Sequence, residues 1–341
     1  MAAVDPHPAH PLGRSTPRDA WLCGMLLLTL GSLVGAVAAA PADGARAGAG
    51  LGALLFVGSS VHVASSAWFC TVPEVRRFMA ARRGRYVAAP LALVVGMAVL
   101  GAVVPAEPFT LLLPVFFAWQ FFHFQKQNLG LAALGSAAYG AGSLRRGERN
   151  AITAAGLTGT AGLLCRPALL QIGGPVPHLG WLFPVAAAFF ACAVGFGATQ
   201  WLRRPGAERP WQVAALYGTA LGFFLPVFLF DSPYAAVAGL TMAHGLQYLL
   251  MMGMVAGGGG GERLPRLISL ALLLNIALLL GVALNLASHL HGGGPAERSL
   301  YGAYLGAVMA HFVVDAGLWR LRDEFPRRFL TERLPYLLAA N

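Results

Sequence analysis

Ten apolar stretches of about 20 residues each run through this sequence, and short polar or charged segments separate them. One such stretch is long enough to cross a hydrocarbon core of about 30 Å as a helix. Lipid offers the backbone no hydrogen-bond partners, so membrane-crossing segments of this kind are helical. The pattern predicts an all-α, polytopic membrane helical bundle of about ten transmembrane helices. The predicted spans are residues 20–40, 49–70, 86–104, 109–130, 151–171, 178–200, 211–230, 233–256, 267–288 and 300–320.

Composition supports a membrane protein. The 341 residues are 57% hydrophobic and 11% charged, whereas soluble domains carry about 25% charged residues. This chain therefore has too few charges to cover a water-exposed surface. The first stretch has features of a signal peptide, because Arg14 and Arg18 precede it and a run of alanines ends it. It is long for a cleaved segment and Pro41 would follow the cut, so we expect it to remain as a span.

The arginines indicate the orientation of the spans. The loops after the second, fourth, sixth and eighth stretches are basic, and the loops between them carry almost no basic residue. Basic loops stay on the cytoplasmic side of a membrane, which predicts that both termini are cytoplasmic. The expected organisation is a disordered cytoplasmic tail over residues 1–19, a transmembrane helical domain over residues 20–320, and a cytoplasmic basic tail over residues 321–341.

The net charge of +10 does not indicate a nucleic-acid partner, because arginines in short loops serve membrane topology and contact anionic headgroups. The chain has 23 Arg and one Lys beside abundant Ala and Gly, a bias typical of high-GC bacterial genomes. We therefore expect a multi-pass protein of the bacterial inner membrane. The four cysteines form no C-x-x-C pair, which favours neither a disulfide framework nor a zinc-thiolate site.

Asp315 is the one acidic residue inside a predicted span. Ionisable groups at that depth are costly, and they usually face the bundle interior with a partner. His311 lies four residues earlier, on the same helix face. A carboxylate one turn from a histidine can orient the ring or join it as a metal ligand. The alternative is a structural His–Asp pair that holds two helices together.

Four histidines lie inside predicted spans: His62, His123, His244 and His311, on the second, fourth, eighth and tenth. These spans run in the same direction, and the histidine depths agree within about 8 Å at 1.5 Å per residue. Imidazoles at one level of a bundle suit a transition metal. We expect these histidines to hold a metal in the inner-leaflet half of the bundle, with Asp315 as ligand or orienter. Alternatively, each is a hydrogen-bonded interhelical histidine.

Two more polar side chains are candidate catalytic groups beside Asp315. Tyr248 follows His244 by four residues and so shares its helix face. Lys126 follows His123 by three residues and is the only lysine of the chain. An ammonium and a guanidinium differ as acids and as donors, so a lone lysine among arginines is informative. The alternative for Lys126 is a side chain that reaches the inner membrane interface.

Three motifs carry a family resemblance: W-Q-x-x-H-F-x-K-Q at 119–127, H-G-x-Q-Y at 244–248 and H-F-x-x-D-x-x-x-W-R at 311–320. They resemble the membrane carotene dioxygenases of the Brp/Blh type, which also place single histidines on separate spans, and the membrane oxygenases of valanimycin-type azoxy biosynthesis. The resemblance covers short segments and implies a non-haem iron oxygenase class. Tyr248 stands where the carotene enzymes have an acid in H-G-x-x-D, so no substrate is implied.

The leading expectation is a metal-dependent oxidase or oxygenase that acts on an apolar or amphipathic small molecule. Non-haem iron suits mixed imidazole and carboxylate sites. The chain has no flavin or nucleotide motif, so electrons would come from a partner protein or from the substrate. Two alternatives stay open. One is a proton-coupled transporter with a lone intramembrane acid, and the other is a haem protein with two axial histidines.

Overall fold

The computed structural model of the protein describes residues 16–42, 47–173, 179–258 and 263–338. Within these ranges the chain folds into helices joined by short connections, without a β-strand. The prediction of an all-α fold is confirmed. The helices are α1 (Pro17–Ala38), α2 (Ala49–Thr71), α3 (Pro73–Ala80), α4 (Gly84–Val103), α5 (Ala106–Thr110), α6 (Leu113–Ala138), α7 (Arg146–Cys165), α8 (Gly180–Leu202), α9 (Trp211–Gly222), α10 (Leu225–Leu229), α11 (Tyr234–Gly257), α12 (Arg263–Ser288), α13 (Pro295–Leu318), α14 (Glu324–Arg333) and α15 (Pro335–Leu338).

Seven of these helices are long and apolar enough to cross a membrane: α1, α2, α4, α8, α11, α12 and α13. The protein is therefore a multi-pass membrane protein. The other three predicted spans also fall on helices, namely α6, α7 and the pair α9 and α10. Each of these three is less typical of a membrane span. Helix α6 has 26 residues but includes glutamines and Lys126, and α7 begins with charged residues. The third span is divided into two short helices, α9 and α10. The count of ten spans remains a prediction.

Helix α1 begins three residues before the predicted span because a reciprocal cap fixes its start. The Thr16 hydroxyl accepts a hydrogen bond from the Asp19 backbone N–H, and the Asp19 carboxylate accepts one from the Thr16 backbone N–H, both at 3.3 Å. This pairing satisfies two donors that a helix start leaves free, and Pro17 occupies the first turn, where no N–H is needed. Of the tail predicted over residues 1–19, residues 1–15 lie outside the described residues.

Glycines allow the helices around the centre of the bundle to approach closely. A Cβ atom added at Gly245 of α11 would lie 2.1 Å from the carbonyl oxygen of Gly58 in α2. A Cβ atom added at Gly306 of α13 would lie 2.5 Å from the carbonyl oxygen of Leu93 in α4. Small residues at such crossings let two backbones touch, which is the usual mode of helix packing in membranes. The crossings fix α2 against α11, and α13 against α4.

The C-terminal segment folds back onto the bundle. Leu330 of α14, Leu337 of α15 and Leu334 between the two helices are buried. The Arg18 guanidinium donates a 3.1 Å hydrogen bond to the Tyr336 carbonyl at the start of α15. The basic tail predicted for residues 321–341 is therefore helical over much of its described part, and it lies beside the N-terminal end of α1.

A buried ion pair joins the start of α7 to the end of α8. The Arg204 guanidinium donates to both carboxylate oxygens of Glu148, at 2.5 and 2.6 Å, and to the Ala141 carbonyl at 2.8 Å. The Arg145 backbone N–H donates to the same carboxylate at 2.7 Å. Hydrogen bonding to Glu148 raises the pKa of the Arg204 guanidinium. A buried pair is tolerated only when its polar atoms are bonded in this way, so the two basic loops lie at the same end of the bundle.

Candidate metal site

Four histidines from four helices meet at the centre of the bundle. His62 comes from α2, His123 from α6, His244 from α11 and His311 from α13. The ring centroid of His62 lies 5.0 Å from that of His244 and 5.1 Å from that of His311. The ring centroid of His123 lies 5.1 Å from that of His244 and 5.4 Å from that of His311. The imidazoles thus form a closed group in which each ring meets two others edge to face.

The ligand atoms fall into two overlapping trios. One nitrogen each from His62, His244 and His311 lie within 4.8 Å of one another. One nitrogen each from His123 and His311 and one oxygen of Asp315 form a second trio within the same distance. Imidazole–metal bonds are about 2 Å long, so two ligands of one ion lie up to about 4 Å apart. The Asp315 carboxylate lies within this range, 3.4 Å from His311 Nε2 and 4.0 Å from His123 Nε2.

The cluster is buried and its nitrogens lack partners. Six ring nitrogens are buried and make no hydrogen bond of normal geometry with the described part of the chain: both nitrogens of His62, both nitrogens of His244, and Nε2 of His123 and of His311. Buried polar atoms are almost always bonded, and each unmade bond costs about 1–3 kcal/mol. A neutral imidazole offers one lone pair, and one nitrogen from each of His62, His244 and His311 lies close to the other two, so the residues present fit a transition metal.

A chain of hydroxyl groups fixes the His311 ring. Its Nδ1 lies 2.7 Å from Ser66 Oγ, and Ser66 Oγ lies 2.9 Å from the Tyr248 hydroxyl. The Tyr248 hydroxyl donates to Asp315 Oδ1 at 2.8 Å. His311 Nε2 therefore faces the cluster, where it lies 3.4 Å from Asp315 Oδ2. The partner of one ring nitrogen determines what the other can bind.

Aromatic neighbours hold two other rings in place. The His123 ring stacks on Phe312 with centroids 4.4 Å apart, and the His244 ring stacks on Phe124 at 4.0 Å. Behind His244, the Gln127 side-chain amide donates to the His244 carbonyl and to Gln247 Oε1, both at 2.9 Å. These contacts bring α6 and α11 together and restrict the orientation of both rings.

A cavity of about 640 Å³ opens beside the cluster and is lined by His123, Tyr248 and Asp315 together with Lys126. Lys126 does not join the histidine group. Its side chain is exposed, with Nζ 5.7 Å from the centre of the Phe122 ring. Of the three predicted catalytic residues, Asp315 and Tyr248 thus lie at the cluster, whereas Lys126 lies on the cavity wall.

Sequence reasoning missed Ser66, which bridges His311 and Tyr248. The signal was its position four residues after His62, on the same helix face. It also missed Gln127, which hydrogen-bonds the backbone that carries His244.

Comparison of the chain with family models, with curated proteins and with solved structures found no match.

Proposed function

We propose that the protein is an integral-membrane, metal-dependent oxidoreductase of the oxidase or oxygenase class. Its metal would be non-haem iron, held by His62, His123, His244 and His311, with Asp315 as a further ligand or as an orienting group. The observation that carries this proposal is the group of buried imidazole nitrogens that lack partners and face one another. A mixed set of imidazoles and a carboxylate suits iron.

Iron in this place would supply the one-electron chemistry that amino-acid side chains lack. The chain's own residues position it. With Nε2 of His311 left as an acceptor, Nδ1 carries the proton and donates to Ser66, Ser66 donates to Tyr248, and Tyr248 donates to Asp315. The hydroxyl groups of Ser66 and Tyr248 then each donate one hydrogen bond and accept one, as a hydroxyl group can.

Tyr248 and Asp315 form the part of the cavity wall that adjoins the cluster. Both side chains can hold a proton beside a bound small molecule. The hydrogen bonds through Ser66 connect that proton to the His311 ring, which faces the cluster. Phe312, stacked on His123, lines the same wall and limits the access of water. We propose that the substrate is an apolar or amphipathic small molecule and that electrons come from it or from a partner protein.

We also propose ten spans with both termini in the cytoplasm of a bacterium whose inner membrane holds the protein. Ten helical segments coincide with the ten apolar stretches. Several segments expected inside are in contact: the start of α1 with the C-terminal segment, and the loop before α7 with the end of α8. Each contact is consistent with two segments on one side of the membrane, and their arginines favour the cytoplasmic side.

A proton-coupled transporter is the second candidate, because Asp315 is a buried acid that borders an open cavity. The histidines favour a metal enzyme over this alternative, since a proton path does not need four converging imidazoles. They also favour a bare ion over haem. Axial ligands of a haem lie on opposite faces of a wide flat ring, whereas these imidazoles meet edge to face at about 5 Å.

Metal analysis and the absorption spectrum of the purified protein test this proposal. We expect iron in an amount close to stoichiometric with the chain and no intense haem band. Haem absorption would assign the histidines to a porphyrin instead. Protein that binds no transition metal after incubation with ferrous iron, but shows proton-dependent flux in vesicles, would favour the transporter.

A further inference from the structure

Part of the lining of the cavity beside the histidines is basic. Its lining includes the side chains of Arg85, Lys126, Arg320 and Arg322. These residues come from α4, α6 and the connection after α13, which are distant in the sequence. The fold therefore gathers positive charge from three segments into one basic rim, which reaches the protein surface at the exposed residues Lys126 and Arg322.

These charges are only partly neutralised. Arg320 and Arg322 lie 3.7 and 3.9 Å from the same carboxylate, that of Asp323. The Arg85 guanidinium donates to the backbone carbonyl of Val313 at 3.4 Å. Within the described part of the chain no carboxylate lies within 4 Å of Lys126 Nζ. The rim thus keeps a net positive charge, with Lys126 free to meet an anion.

Most of the other lining of this cavity is apolar, and its apolar walls surround the basic residues as well as His123. These walls are formed by Trp119, Phe122, Leu131, Leu134, Met251 and Phe312. A volume of about 640 Å³ lies within the roughly 300–1,000 Å³ typical of small-molecule sites, which are mostly apolar with a few polar groups that set orientation. A charged rim over an apolar wall matches a ligand that has one charged end.

We infer that this cavity binds a single-chain amphipathic anion, with its charged head at Lys126 and the neighbouring arginines and its apolar chain against the walls. Complementary charge gives such a site its orientation. The carboxylate of Asp315 in the same lining disfavours an anionic head beside it, so the head is expected at the basic residues. Lys126 lies one helical turn from His123, which places carbons of the bound molecule beside the cluster. As a statement about a substrate, this inference rests on the proposed function.

Binding of radiolabelled palmitate to the full chain in phosphatidylcholine nanodiscs, with metal removed by a chelator, tests the inference. We expect saturable binding that hexadecanol and hexadecyltrimethylammonium compete for poorly. Lys126→Gln should raise the Kd of palmitate by about tenfold, because it removes a charge-assisted contact. Lys126→Arg should keep the Kd close to that of the wild type. The control is Arg149→Gln, which removes an exposed arginine outside the cavity and should leave the Kd unchanged.

Equal competition by hexadecanol would overturn the inference, as would a Kd that stays unchanged in Lys126→Gln. Displacement of palmitate by phosphatidylglycerol would assign the rim to bilayer headgroups and overturn it as well. The metal content of the same preparations is measured before chelation. If the protein binds palmitate but never contains iron, the anion site is supported and the metal proposal is contradicted. If it contains iron but does not bind palmitate, the metal proposal is supported and the anion site is contradicted.

Discussion

His311 has two ring nitrogens with different tasks, and its neighbours decide which one faces the cluster. Ser66 meets Nδ1, and Tyr248 connects Ser66 to Asp315. A serine inside a helix usually bonds its own backbone, as Ser65 does with the His62 carbonyl at 2.6 Å. Ser66, one residue later, instead contacts two other helices. The position of Ser66 four residues after His62 was the one signal in the sequence, because the contacts themselves depend on helices that approach from far along the chain.

Asp315→Asn tests the carboxylate while it preserves the shape of the side chain. If Asp315 ligates the metal or orients His311, we expect metal affinity to fall by about 10- to 100-fold with the fold intact. A titration of ferrous iron into metal-free protein measures this. The control is Asp323→Asn, which removes a half-exposed carboxylate outside the cluster. A purely structural His–Asp pair would tolerate the amide, since its oxygen still accepts a hydrogen bond, and metal affinity would then match that of the wild type.

At the scale of helices, the long apolar stretches predicted the all-helical fold and its membrane-crossing segments. The ten apolar stretches fall on helices, and the positions of four histidines at one depth led to the expectation that they meet. Irregular turns were not predicted. A π-helical turn over Val57–Val61 directly precedes His62, and the chain breaks at Phe223 and Phe224 before Pro226. Proline explains the break, whereas the π-turn depends on contacts with neighbouring helices that the sequence does not reveal.

Gly245→Ala tests the crossing that holds His62 beside His244. The added methyl group would lie 2.1 Å from the Gly58 carbonyl oxygen, so α11 must move away from α2. Overpacking of this kind costs about 1–3 kcal/mol, and we expect a lower melting temperature together with weaker iron binding. Gly253→Ala, on the same helix, meets nothing within 4 Å and should behave like the wild type. Equal thermal stability of the two variants would contradict this account of the crossing.

Over the whole molecule, segments that the arginines predict to lie on one side of the membrane are in contact with one another. Arg204 and Glu148 join two basic loops, and the C-terminal segment meets the N-terminal end of α1. The sequence predicted which segments are basic. It did not predict that Glu148 is buried, because its carboxylate is satisfied by Arg204, 56 residues away. Long-range pairs of this type follow from the packing of helices, and composition alone does not specify them.

Reporter fusions test the orientation of the bundle. A reporter placed after residue 80, 147 or 206 should read as cytoplasmic, and one after residue 105 or 232 should read as external, because basic loops remain inside. A fusion after residue 206 that reads as external would contradict the fifth predicted span, which lies within α7. The predicted orientation of all spans before it, or of all spans after it, would then be reversed.

The most direct test of the central claim compares the iron content of two histidine variants. His244→Ala removes a buried ring at the cluster, and His289→Ala removes an exposed histidine outside it. Both proteins are purified from the same iron-supplemented culture, and iron per chain is measured beside the wild type. The account predicts that His244→Ala loses most of its iron, because three imidazoles remain where four converge, while His289→Ala keeps the wild-type amount. Equal iron in both variants, or none in the wild type, would contradict the claim that these histidines form a metal site.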